Sequence, residues 1–164
     1  MVPALSYFRV FESYELQTYD WRFQIRHDRP MSPKIVFIEI ADDSIQAIGE
    51  WPFPRQYHAA LIEALQAYGA KSIVLDFIFA ERRPEDPLFA RVAHKAGNVL
   101  FGLVLKDPTL KGDEFVSESI LARLRGILRR AAKGVGIVNA KADVDGKRRR
   151  VPPVVRLNNQ YFFN

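Results

Sequence analysis

Gly69-Ala70-Lys71-Ser72-Ile73-Val74-Leu75-Asp76-Phe77-Ile78-Phe79 is the stretch on which the fold reading turns. It puts a glycine where a helix stops, followed by an apolar run of strand composition over residues 73–79. Just upstream, Ala60, Leu61, Ala64, Leu65 and Tyr68 recur at helical spacing, with Pro54 suited to the first turn. Further back, Ile35-Val36-Phe37-Ile38-Glu39-Ile40-Ala41 reads as a buried strand of the parallel-sheet kind. Strand, helix, strand makes a βαβ unit, which is right-handed in nearly all known cases.

Downstream, Asp86-Pro87 opens a second helical pattern as cap and first-turn proline, and Leu88, Phe89, Val92, Ala93 and Ala96 give its stripe before Gly97. Residues 99–105 read as a third strand. Ile120, Leu121, Leu124, Ile127, Leu128 and Ala131 predict a helix over about 117–133 with arginines mostly elsewhere. The last third alternates apolar runs (135–140, 151–157, 161 onward) with Asp145-Gly146 and Asn158-Asn159, which are hairpin signals. At the other end, Phe8, Phe11, Leu16, Tyr19 and Phe23 suggest an amphipathic helix over residues 7–26, stopped by Pro30 and Pro33. The expected architecture is α/β: a mixed sheet flanked by helices, with an N-terminal amphipathic helix and a C-terminal antiparallel β-meander.

With 164 residues, 48% hydrophobic and 26% charged, the chain has the size and composition of one globular domain, far from the signature of disorder. The absence of cysteine excludes disulfide frameworks, zinc–thiolate sites, iron–sulfur clusters and cysteine nucleophiles together. Charge is uneven, −3 over residues 1–82 and +8 over residues 83–164. No run reaches the ~18 apolar residues of a membrane-spanning helix, and the start resembles no signal peptide, so the chain as it stands is expected to be soluble. The strand-like Tyr161-Phe162-Phe163 next to the last residue suggests a fragment of a longer protein.

In open α/β sheets ligands sit beyond the carboxyl ends of strands. Asp42, Asp43, Asp76 and Glu81 fall at or near such ends, where carboxylates suit Mg²⁺, Ca²⁺ or a basic ligand group. The competing role is structural: Asp42 or Asp43 capping a turn, and Asp76 pairing with Arg55. Residue spacing leaves metal binding open. An Asp pair, a further Asp and Lys106 also resemble phospho-accepting receiver domains, so the alternative function is a soluble α/β phosphoacceptor or Mg-dependent domain using Asp42, Asp43 and Asp76. Against it, Asp76 lies inside its predicted strand. Gly112-Asp113-Glu114-Phe115 is similar to the GGDEF signature of diguanylate cyclases with one glycine missing, and is read as an ordinary loop ahead of a basic helix. Lys147-Arg148-Arg149-Arg150 suits nucleic-acid phosphates or an anionic membrane face, with a solvated hairpin edge as the structural reading; no aromatic side chains interleave to stack bases, so nucleic acid is not an expected partner and the membrane reading is kept. His27, His58 and His94 show neither metal-ligand spacing nor a nucleophile motif, and no glycine-rich phosphate loop is present.

Several blocks together resemble one family. Tyr19-Asp20-Trp21-Arg22-Phe23, Ile38-Glu39-Ile40-Ala41-Asp42-Asp43-Ser44-Ile45, Gly49-Glu50-Trp51-Pro52-Phe53-Pro54-Arg55, the run from Gly69 to Glu81, Gly97-Asn98-Val99-Leu100, and Asp143-Val144-Asp145-Gly146 before Arg148-Arg149-Arg150-Val151-Pro152 follow in order as in the type-two CHASE domain, the cyclase/histidine-kinase-associated sensory extracellular domain.

The resemblance implies a single extracytoplasmic sensor domain over residues 1–164, lacking its flanking membrane helices and its C-terminal part. Such domains act as input modules of bacterial membrane receptors whose outputs are adenylate or diguanylate cyclases, histidine kinases or Ser/Thr kinases. It implies no catalysis by this domain, no cofactor, a small-molecule or environmental stimulus, and a homodimer as a candidate assembly. The aromatic loop over residues 51–55 is expected to cover the end of the first strand and aim Arg55 at Asp42, Asp43 and Asp76. Spacing leaves open whether this makes a pocket or only a buried ion pair: the candidate ligand contacts are Asp42, Asp43, Trp51, Arg55, Asp76 and Glu81, of which Asp76 and Arg55 lean towards a structural role.

Overall fold

A computed structural model describes residues 11–26, 30, 32–106, 108–111, 113–138, 142–143, 145–149 and 151–164. The expected helix start at 7–10, His27, Gly112, residues 139–140, Val144 and Arg150 lie outside them. The elements in order are α1 (Glu12–Ile25), α2 (Asp42–Ile48), α3 (Arg55–Ala67), β1 (Ile73–Leu75), α4 (Asp86–Ala96), β2 (Val99–Leu105), β3 (Thr109–Lys111), β4 (Glu114–Ser117), β5 (Ile120–Ala122), α5 (Gly126–Ala131), β6 (Gly134–Ile137), β7 (Val154–Leu157) and β8 (Gln160–Phe163).

The fold class is mixed α/β, as the alternation of apolar runs and helical stripes predicts. β2 is the hub of the first sheet, for its apolar run can be buried on both faces. It pairs in parallel with β1 (Ile73 opposite Val99) and with β6 (Leu100 opposite Gly134), and its end pairs antiparallel with β5. The second sheet has the order β3-β4-β7-β8, with β4 and β7 parallel between two antiparallel hairpins. Alternation along β2 puts Val99, Phe101, Leu103 and Leu105 on one face. The first two meet Ile62 of α3, Phe89 of α4, Phe79, Leu124 and Leu128. The last two meet Val155, Leu157 and Phe162 of the second sheet. One strand thus joins two cores.

α3 ends as its sequence dictates. Gly69 adopts φ +79°, its N–H donates to the Gln66 carbonyl, and the Ala70 N–H donates to the Leu65 carbonyl, closing a Schellman cap. Gly102 in β2 answers a different need. A Cβ there would lie 2.9 Å from Val138 Cγ1 and 3.6 Å from the Phe77 carbonyl oxygen, so residues 77–78 and Val138 pack directly on bare backbone.

Six details of the expected elements are corrected. Residues 35–41 form no strand. They are almost wholly exposed, because an apolar-on-both-sides run needs neighbours on both edges and no described strand lies beside it. The second run is a strand only over 73–75, after which the chain leaves the ladder to pass over Gly102. The long helix expected over 117–133 is instead the end of β4, the strand β5 and the short helix α5, with Ile120 and Leu124 fixed by packing and not by helical register. Of the expected meander, the β7–β8 hairpin is present with Asn158 at φ +53°, while β6 joins the first sheet in parallel with β2. The stripe of α3 is also rotated. Arg55, His58, Ala59 and Ile62 are its buried residues, whereas Ala60, Ala64 and Tyr68 are exposed. α1 carries no continuous buried stripe either, since Leu16 is buried but Phe11, Tyr19 and Phe23 are exposed.

Candidate functional site

The predicted contact side chains do not converge on one site, although Arg55 meets the backbone carbonyl of Glu81. Asp42 and Asp43 open α2 and are exposed, and the Asp43 carboxylate accepts hydrogen bonds from the Ser44 backbone N–H (2.6 Å) and hydroxyl (3.3 Å). Asp76 is exposed just past β1. Glu81 is exposed and paired with Arg83 at 3.1 Å. Among the described residues no group of three histidine or acidic side chains is arranged to hold a metal ion, so Asp42, Asp43 and Asp76 do not assemble the cage that the Mg-dependent alternative requires.

Arg55 and Trp51 go elsewhere. Arg55, buried at the start of α3, donates from Nε to Asp86 Oδ1 (3.2 Å) and from Nη2 to the Glu81 carbonyl (3.3 Å). Its guanidinium lies 4.5 Å from the centre of the Phe79 ring. The partner is Asp86, not Asp76. Asp86 is buried in the first turn of α4, where it also accepts from the Arg83 backbone N–H at 3.1 Å, with Arg125 Nε 3.8 Å away. The sequence offered Asp86 as a cap, and only the packing of α4 on α3 reveals the ion pair. Trp51 closes an aromatic cluster with Phe53 and Phe77 (both 5.2 Å between centroids) and His58 (6.0 Å). Burial first, and the nearby Arg55 charge second, push the His58 imidazole down to about 4, so it is neutral at pH 7. This is a core held by charge and rings, with no open face at Arg55.

Residue spacing gives no sign of a second constellation, although the family blocks contain Asp20, Asp143, Asp145 and Arg149. Asp20 on α1 receives Arg149 bidentately, Nε to Oδ1 at 2.6 Å and Nη2 to Oδ2 at 2.8 Å, and Lys147 Nζ at 2.6 Å. Arg149 also donates to Asp143 (3.1 Å) and to both oxygens of Asp145 (2.9 and 2.6 Å). One guanidinium is thus held by three carboxylates. The hydrogen bonds from Arg149, then from Lys147, hold the Asp20 carboxyl far below the usual range. Arg149 likewise takes Asp145 down to about 2, and the carboxylates raise the Arg149 guanidinium in return. The Asp145-Gly146 turn, with Gly146 at φ +81°, brings Asp145 and Arg149 together. Residues 127 to 129 positions apart are joined, so α1 is tied to the loop before β7.

A concave surface of about 370 Å³ lies beside β5, α5 and the β7–β8 turn. Ile120, Leu157 and Phe162 form its apolar part and Arg123 and Arg129 its cations. None of the predicted contact residues lines it. The Glu114-Phe115 part of the GGDEF-like stretch begins β4, correcting its reading as loop, and the Glu114 carboxylate accepts from Arg156 (2.8 Å) and Tyr161 (3.3 Å).

The family model for the CHASE2 domain matches residues 1–163, nearly the whole chain, and the chain belongs to that family. Neither a curated protein nor a solved structure matches it at a significant level. CHASE2 domains are extracytoplasmic sensory domains of membrane signalling receptors and are generally non-catalytic. Among the described residues no helix is long and apolar enough to cross a membrane.

Proposed function

We propose that this CHASE2 domain is the input module of a bacterial membrane receptor, in which occupancy by a stimulus alters how α1 is held and thereby drives a cyclase or kinase output. The observation that carries this reading is the clamp of Asp20 by Arg149 and Lys147. It joins the loop before β7 to α1 through strong, directional bonds. A stimulus shifts such an equilibrium only through different affinities for the clamped and released states. The concave surface with Arg123 and Arg129 suits a small anionic stimulus with an apolar body, while Asp42, Asp43, Asp76 and Glu81 offer exposed carboxylates to a basic one.

Reading the coding frame on both sides is the first test. Apolar stretches of about 20 residues flanking the chain, followed by a cyclase or kinase, support the receptor. A frame without them overturns it. In the full-length protein, Asp20→Asn should then change basal output or its response while leaving the folded content of the domain unchanged. Wild-type output from that variant would remove α1 from the signal path.

A further inference from the structure

The molecule carries a spare strand and a spare edge. Ile35, Val36, Phe37 and Ile38 stand between 52% (Ile38) and 79% (Val36) exposed, and the helix that follows, α2, buries no residue. Four consecutive large apolar residues have the composition of a strand buried on both faces. Left bare, such a run is an association hazard. Meanwhile β1 is the terminal strand of its sheet among the described residues. Its Ile73 N–H donates inward to the Asn98 carbonyl, so the alternation of a parallel ladder turns the Val74 N–H and C=O outward. The Val74 side chain is 71% exposed as well.

We propose that residues 35–40 of one copy add as a parallel strand to the open edge of β1 in a second copy, and that the exchange is reciprocal. The second copy is the chosen occupant because the molecule has its own segment at hand and yet, among the described residues, leaves both segment and edge unpaired. Two copies that exchange identical elements satisfy both needs twice and close on a two-fold axis. Six residues at about 3.3 Å each extend beyond the three-residue β1, so pairing would also reach residues 76–79, which carry the strand composition but leave the ladder in the single molecule. Strand addition supplies backbone bonds, and the alternate side chains supply burial. The inference stands independently of the sensory reading.

The test uses the lack of native cysteine. The 164-residue chain with Phe37→Cys and Val74→Cys is oxidised and run without reductant, beside the same pair in which Ser72→Cys or Asp76→Cys replaces Val74→Cys to scan register. The expected result is a disulfide-linked dimer in at least one register. In parallel, sedimentation equilibrium should show a dimer whose dissociation constant rises at least tenfold in Phe37→Pro, since proline removes a ladder donor at a position that contributes nothing to the monomer core. Intrachain disulfide alone would overturn the exchange in favour of self-pairing. A monomer at all concentrations, or a dimer indifferent to Phe37→Pro and without cross-links, would overturn strand addition itself.

Discussion

Residues 35–41 and 99–105 are two seven-residue apolar runs of similar composition with opposite fates. The later run is β2, with three strand neighbours and two cores against one face. The earlier has no described strand beside it. The contrast extends to the regions around them, because among the described residues from 11 to 52 only Leu16 is buried, whereas most of the core lies beyond residue 55. The body is held by burial, whereas α1 carries the ion-pair clamp at Asp20 beside a single buried leucine, Leu16. Composition gives a segment the capacity for burial, and neighbours decide whether that capacity is used.

The sharpest way to break this comparison is to truncate one phenylalanine from each run. Phe101→Ala removes a fully buried ring and should cost roughly 3–5 kcal/mol in urea denaturation. Phe37→Ser, measured at a concentration where the chain is monomeric, should change stability by no more than about 0.5 kcal/mol. Comparable losses would mean the early run is buried after all. Next in size, Gly102→Ala should cost roughly 1–3 kcal/mol by overpacking, since the new methyl would push on Val138 and on the backbone of residue 77. A neutral result would show that the loop over β2 yields freely.

His58 sharpens the contrast through pH. Its folded value is near 4 against 6.5 for a free imidazole, so between those values the unfolded chain binds more protons. Stability should therefore rise as pH increases from 4 to 6.5 and be fully present above. With the partly exposed Trp51 over one side of the ring, the full conversion is discounted to about 1–2 kcal/mol. His58→Phe should flatten that window in denaturation midpoints followed from pH 4 to 7. A slope that persisted would assign it to other groups.

The body was largely legible in the sequence. β2, α4 with its Pro87 and Gly97 punctuation, and the Asn158-Asn159 hairpin follow from local chemistry that packing leaves alone. The failures share a cause. Ile120, Leu124 and Leu128 fit a helical period, yet strand pairing with the end of β2 claims Ile120, and Gly126 marks where the helix starts. Partner identity was less legible still. Arg55 selects Asp86 over Asp76, and Asp20 finds Arg149, across separations that no residue spacing encodes. For the site, the sequence named Arg55 and Trp51 and left a pocket or a buried ion pair open at Arg55; the structure gives Arg55 a buried pair with Asp86 and places Trp51 in an aromatic cluster.

The smallest expected effect on global stability, and the one most specific to the N-terminal third, comes from the clamp. Ion pairs with exposed members add little to the unfolding free energy, and here Lys147 and Asp20 stay partly exposed while Arg149 is shielded; the clamp ties α1 to the loop before β7. Asp20 and Asp145 have folded values depressed below the ordinary 3.8. Their contribution is therefore present above that value and is lost as pH falls through the folded values, about 2 for Asp145 and lower for Asp20. Spin labels at Gln17→Cys and Lys95→Cys, both exposed and outside the clamp, should give a narrow distance distribution at pH 7 that broadens only in strong acid. Asp20→Asn should broaden it already at pH 7, with the β2 core intact by circular dichroism. Added salt should act in the same direction as the variant, weakly, because Arg149 is shielded from solvent at 6% exposure. If the variant keeps the narrow distribution, α1 is held by Leu16 and its neighbours, and the contrast between a body held by burial and a helix tied by its clamp no longer stands.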